Sequence, residues 1–208
     1  MHPLGRRDVH VWWFDGLSPV DLDGLTEDEQ IRAVRYSAPD DRARFVLGRR
    51  RLRAVCARYT DAAVWHDTGG RPRVEGDKLF VSASHSGPLA VIAVARRPVG
   101  VDVERRTGAP LDPELVLRFL PSWTLRRPSA AVELAFLNRW VRVEALAKAL
   151  GTGLELGLRA RRLQWRPHAQ GLRRRGLWHV RQVAAPDGYS AAIATRGLAC
   201  RVIAIQGE

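Results

Sequence analysis

A chain of 208 residues is long enough to bury one large core or two small ones of roughly 100 residues each. Its 46% hydrophobic and 27% charged content is globular and excludes disordered and fibrous classes. No run approaches the roughly 18 apolar residues of a membrane span, and Met1 to Arg7 lack the apolar core of a signal peptide, so a cytoplasmic location away from membranes is expected.

The net charge of +12 attracts an anionic partner, whether nucleic acid, a nucleotide cofactor or an acidic protein. Of the 34 basic residues only Lys78 and Lys148 are lysines, so much of the arginine reflects compositional bias and a lysine is the more informative cation. Cys56 and Cys200 have neither CxxC nor Cys/His spacing, which argues for reduced, structural thiols.

In chain order, Val9 to Phe14 reads as a strand. A helix is predicted from Thr26, its N-cap, to about Tyr36, opening on an acidic turn. A second runs from about Pro39 to Tyr59, with an apolar face of Phe45, Leu52, Val55 and Cys56 and a strongly basic opposite face. Thr68-Gly69-Gly70 and Glu75-Gly76-Asp77 are turn signals. Leu79 to Ser82 and Leu89 to Val94 read as strands on either side of a polar turn, Ser84-His85-Ser86-Gly87, followed by a strand at Val99 to Val103.

Gly108 to Pro128 looks like loop. A long helix is predicted from about Ala130 to Leu150, with one apolar stripe of Phe136, Trp140, Val143, Ala147 and Leu150 and a stop at Gly151-Thr152-Gly153. Strands are expected at Leu163 to Trp165, Leu177 to Val183, Ser190 to Ala194 and Ala199 to Ile205, with turns at Gln170-Gly171 and Asp187-Gly188. Arg173-Arg174-Arg175 reads as a solvated hairpin tip or a patch for an acidic partner. The order of elements predicts an α+β fold of two similar halves, residues 1–98 and 99–208.

Alternation along the Val99 strand puts Val99, Val101 and Val103 on one face and Gly100, Asp102 and Glu104 on the other. Two converging carboxylates suit a hard cation such as Mg²⁺, though a polar outer face is the commoner reason for such a pattern. In the long helix Trp140, Glu144 and Lys148 share one flank; Glu144 could ligate metal or act as a general base, and Lys148 could neutralise phosphate, while the plainer reading is a surface ion pair. Ser82, Ser84, His85 and Ser86 offer groups that can meet a phosphate. No GxSxG elbow accompanies them, which excludes a serine hydrolase. Arg32, Arg44, Arg49 and Arg71 beside Pro72 could supply phosphate and adenine contacts.

Taken together these segments resemble the 4'-phosphopantetheinyl transferase superfamily, specifically its surfactin-synthetase-activating type. The resemblance rests on Gly100-Val101-Asp102-Val103-Glu104 and on the helix stretch from Trp140 to Ala149, in that order and separation. Gly70-Arg71-Pro72, Ser84-His85-Ser86-Gly87 and Gly151-Thr152-Gly153-Leu154 match accessory motifs, so the likeness spans roughly Arg44 to Leu154. It implies a pseudo-twofold pair of α+β halves with a coenzyme A cleft between them, and no second chain is needed to form that cleft, so a monomer is expected.

It also implies that Asp102, Glu104 and Glu144 hold Mg²⁺ and that Ser84, His85, Arg44 and Lys148 meet the coenzyme A phosphates. Arg71 and Pro72 would lie near adenine. Glu144 and Lys148 would be the catalytic pair, moving the 4'-phosphopantetheine arm onto a serine of an acidic apo acyl or peptidyl carrier protein with release of 3',5'-adenosine bisphosphate. The segment Leu111 to Pro128, with Trp123, Arg126 and Arg127, is the expected carrier docking surface.

One departure stands out: Val143 occupies a position that often carries lysine in the family. It motivates an alternative, a protein that binds coenzyme A or carrier without turnover. A basic nucleic-acid-binding module is the second alternative, supported by charge alone and by no recognised motif.

Overall fold

The computed structural model describes residues 3–18, 20–76, 78–152, 178–197 and 199–207, together with the backbone of 166–168 and 171–174. The expected strand at Leu163 to Trp165, Gly153-Leu154, Asp77, Gln170 and Arg175 lie outside the described residues. The fold is mixed α and β, as expected. In order it runs β1 (Asp8–Phe14), α1 (Glu27–Val34), α2 (Pro39–Ala57), β2 (Val64–His66), β3 (Pro72–Val74), β4 (Phe80–Ser86), β5 (Leu89–Ala95) and β6 (Val99–Arg105). It continues with α3 (Pro113–Phe119), a 3₁₀ turn (Ser122–Arg126), α4 (Ser129–Leu150), β7 (Arg166–His168), β8 (Gly171–Arg174), β9 (Trp178–Val183), β10 (Tyr189–Arg196) and β11 (Arg201–Gln206).

Two larger sheets stack. One has strand order β11-β1-β5-β4 and the other β6-β10-β9-β8-β7, with β2-β3 forming a separate ribbon. Alternation along each strand divides the apolar residues into layers. Val9, Val11, Val91 and Ala93 pack against Val99, Val101, Val103 and Ile193 between the sheets. Trp12, Ile92 and Val94 face Leu52, Val55 and Cys56 of α2. Val180, Ala192 and Ala194 face Val141, Ala145, Leu146 and Ala149 of α4. Each fully buried valine or isoleucine contributes on the order of 1.5–3 kcal/mol over an exposed one. β11, from the end of the chain, returns to pair in parallel with β1 and is fastened by a two-pronged Arg201–Asp8 bridge at 2.9 and 3.0 Å.

Thr26 caps α1 through a capping box with Glu29, the arrangement its acidic first turn suggests. The arginines of α2 and of its C-cap are largely spent inside the chain: Arg49 and Arg53 pair with Glu29, Arg50 with Asp21, Arg51 lies over Phe14 and the capping Arg58 over Trp12. The basic face therefore secures α1 through Glu29 and the chain before it through Asp15, Gly16, Asp21, Asp23 and Gly24.

Three expectations need correction. Ser84 to Ser86 lie in β4, not in a turn, because their backbone continues the antiparallel ladder with β5, Ser84 opposite Val91 and Ser86 opposite Leu89. The segment Gly108 to Pro128 carries α3 and the 3₁₀ turn. Asp112 caps α3 ahead of Pro113, and Phe119 packs edge-on against Phe136 and Trp140, so tertiary contact stabilises a helix too short to stand alone. Helix α4 has more than one apolar stripe. Its first turns pack on α3 through Val132, Phe136 and Leu137, and its later turns are buried on several sides.

Candidate active site

Gly100 sets how closely α4 approaches β6. A Cβ placed on it would lie 2.6 Å from the Ala149 nitrogen and closer still to the Ala145 carbonyl oxygen, so only glycine lets the helix backbone rest on the strand. The next outward residues, Asp102 and Glu104, consequently point into the seam beneath Glu144 and Lys148. The helix stops at Gly151, in the left-handed conformation at φ 73°, as the glycine pair suggested.

Asp102 is 3% exposed. Its Oδ1 accepts from Lys148 Nζ at 2.7 Å and from the Ser84 hydroxyl at 2.8 Å, while Lys148 also donates to Ser84 Oγ at 2.8 Å. Lys148 thus reaches across to β6, and the surface ion pair with Glu144 that helical spacing allows is not what forms. Glu144 is itself buried. Burial pushes its carboxyl above the usual range, and the negative charge of Asp102 adds to this. Glu104 is raised for the same two reasons, against the hydrogen bonds of Ser86 and Trp140.

Asp102 Oδ2 and Glu144 Oε1 are buried and accept no hydrogen bond from the described residues. Carboxylate oxygens without donors, beside a third carboxylate, fit a hard divalent cation. Among the described residues, however, no group of three His, Cys, Asp or Glu side chains is placed so that it could hold a metal ion as it stands.

Two cavities flank this cluster. One of about 490 Å³ is lined by Arg71, Pro72, Ser82, Lys148 and Gly151. Arg71 donates to the Ala149 carbonyl at 3.2 Å, which places its guanidinium at the negative end of α4. The other, about 100 Å³, is lined by Arg44, Ser84 and His85. His85 lies on the opposite face of β4 from Ser84, toward α2; its ring keeps contact with solvent, and partial loss of water around it, then the positive charges of Lys148 and Arg44, lower its pKa. Arg44 pairs with Asp41 one turn away. The sequence-predicted residues therefore fall into a tight core of Ser84, Asp102, Glu104, Glu144 and Lys148, with Arg44 and His85 on one side and Arg71 and Pro72 on the other.

Ser82 and Ser86 had no individual role in the sequence reading. Ser82 accepts from the Val101 amide at 3.1 Å, and Ser86 accepts from the Arg105 amide at 3.0 Å and donates to Glu104 Oε2 at 2.8 Å. The period of two in Ser82, Ser84 and Ser86 was a visible signal, since alternate strand residues share a face. Val143 is fully buried and serves packing.

The family model of the 4'-phosphopantetheinyl transferase superfamily matches residues 98–194, the segment that carries Asp102, Glu104, Glu144 and Lys148. The chain is 32% identical over 167 residues to the 4'-phosphopantetheinyl transferase HetI of Nostoc sp., covering 71% of this chain and 70% of that protein. It is 29% identical over 147 residues to slr0495 of Synechocystis sp., provisionally named as the same transferase, covering 64% of this chain and 60% of the relative. The chain belongs to the 4'-phosphopantetheinyl transferase superfamily, whose members use coenzyme A to place phosphopantetheine on carrier proteins.

Proposed function

We propose that this protein is a transferase of the surfactin-synthetase-activating type that moves the 4'-phosphopantetheine arm of coenzyme A to a serine hydroxyl of an acidic apo acyl or peptidyl carrier protein, with Mg²⁺. The observation that carries the reading is the buried group of Asp102, Glu144 and Lys148 between the two cavities, with carboxylate oxygens left free of donors. The cavity beside Arg71 and Pro72 suits the adenine end of coenzyme A, and His85 and Arg44 suit its phosphates. No helix among the described residues is long and apolar enough to cross a membrane; we place the protein in the cytoplasm, acting as a monomer.

Glu144 takes the proton from the carrier serine, a role that its raised pKa and unbonded Oε1 favour. The serine oxygen forms a bond to the pantetheine-bearing phosphorus as the pyrophosphate bridge breaks, and 3',5'-adenosine bisphosphate leaves. Lys148, fixed by Asp102 and Ser84, balances charge on the phosphates during this in-line displacement. Asp102, Glu104 and Glu144 would hold Mg²⁺, which when bound supplies charge neutralisation at the pyrophosphate.

The test incubates the protein with coenzyme A, Mg²⁺ and apo carrier proteins and follows carrier mass, with Glu144→Gln as the control. A phosphopantetheine adduct that the variant fails to form supports the reading. Coenzyme A binding with no adduct on any carrier would replace it with the binding-only alternative.

A further inference from the structure

β4 and β6 are edge strands of different sheets, yet they run side by side, and side-chain hydroxyls join them in place of a backbone ladder. Ser82 meets Val101, Ser84 meets Asp102, and Ser86 meets both Glu104 and Arg105. The three rungs differ in what they hold. Ser82 takes only an amide proton. Ser84 belongs to the Lys148–Asp102 cluster. Ser86 receives the Arg105 amide on its oxygen, and because a hydroxyl carries one proton and two lone pairs, that amide turns the remaining proton toward Glu104 Oε2.

Glu104 needs such a hold. It sits near the end of β6, is less enclosed than Asp102, and shares a strand face with that like-charged side chain. We propose that Ser86 is the positioning residue for Glu104, fixing that carboxylate in the seam toward Glu144 so that the three acidic side chains present one cation site. This rests on the metal reading given above. Ser86 touches neither substrate nor ion, and acts through Glu104 alone. Partners of ligand side chains typically change metal affinity by about 10- to 100-fold when removed.

Mn²⁺ titration of the full chain, followed by electron paramagnetic resonance, separates this role from general stability. Ser86→Ala is expected to weaken Mn²⁺ binding at least about tenfold. Ser82→Ala, which removes only the acceptor for the Val101 amide, is expected to lower the thermal midpoint and leave Mn²⁺ affinity unchanged. The isosteric pair Ser86→Thr and Ser86→Val covers the case in which the alanine variant does not fold, with threonine retaining the affinity and valine losing it. Equal affinity in wild type and Ser86→Ala, or an equal loss in Ser82→Ala, overturns the positioning role while leaving the metal reading intact. A wild type that takes up no Mn²⁺ removes the metal reading and this role with it.

Discussion

Lys148 Nζ and Asp102 Oδ1, 46 positions apart in the chain, meet at 2.7 Å where α4 crosses β6. The contact joins a cation on the helix to a carboxylate that Glu104 and Glu144 oppose. Two electrostatic effects therefore compete at one buried atom.

Asp102→Asn tests that competition. The variant loses the attraction to Lys148 but relieves Glu104 and Glu144 of the like charge that raises both of their pKa values. Folding stability is expected to change by about 1 kcal/mol or less, whereas transfer falls at least about hundredfold because the anionic Oδ2 is gone. Thermal unfolding and the carrier mass assay read the two effects separately. A large loss of stability would mean that the Lys148 pair dominates.

Gly100→Ala should behave in the opposite way. Its methyl group would collide with helix backbone at Ala145 and Ala149, which cannot rotate aside as a flexible side chain could. A cost of about 3 kcal/mol is expected, read as a lower urea midpoint, and activity falls with it as α4 lifts Glu144 from β6.

The exposed surface formed by Trp123, Leu125, Arg126 and Arg127 should serve the carrier and not coenzyme A, since it lies outside both cavities. Replacing Arg126 and Arg127 by glutamate is expected to raise the carrier KM about tenfold, most strongly at low salt, with the coenzyme A KM unchanged. Steady-state kinetics with each substrate varied in turn decides the point; an unchanged carrier KM would move the docking surface elsewhere.

His66 gives the pH dependence a definite sign. Burial, and then the Arg49 charge, lower its pKa from 6.5 to about 4. The unfolded chain therefore binds more protons between those values, so the stability contributed is complete above about pH 6.5 and is lost as pH falls toward 4. Because the side chain is only half-buried, about 1 kcal/mol is the expected size. Chemical denaturation at pH 5 and pH 7 should show the difference, and His66→Asn should reduce it.

Much of the framework was legible because local rules and tertiary context agree. The Thr26 cap, the Gly151 stop, the alternating valines of β6 and the long helix through Glu144 each follow from short-range chemistry, and their order along the chain pointed to the family. The chemistry of the site was legible as residue types: Asp102, Glu104, Glu144, Lys148 and His85 all stood out before their neighbours were known.

Other features depended on contacts made far along the chain. Helix α3 exists because Phe119 finds Phe136 and Trp140. The serine run of β4 becomes strand because its backbone pairs with β5 as far as Ser86 and Leu89, and Lys148 pairs with Asp102 and not with Glu144 because Gly100 lets the helix rest on the strand. Sequence spacing determines which side chains share a face; which partner that face meets is decided by how two sheets and two helices stack, and that stacking is set by the summed burial of all four layers.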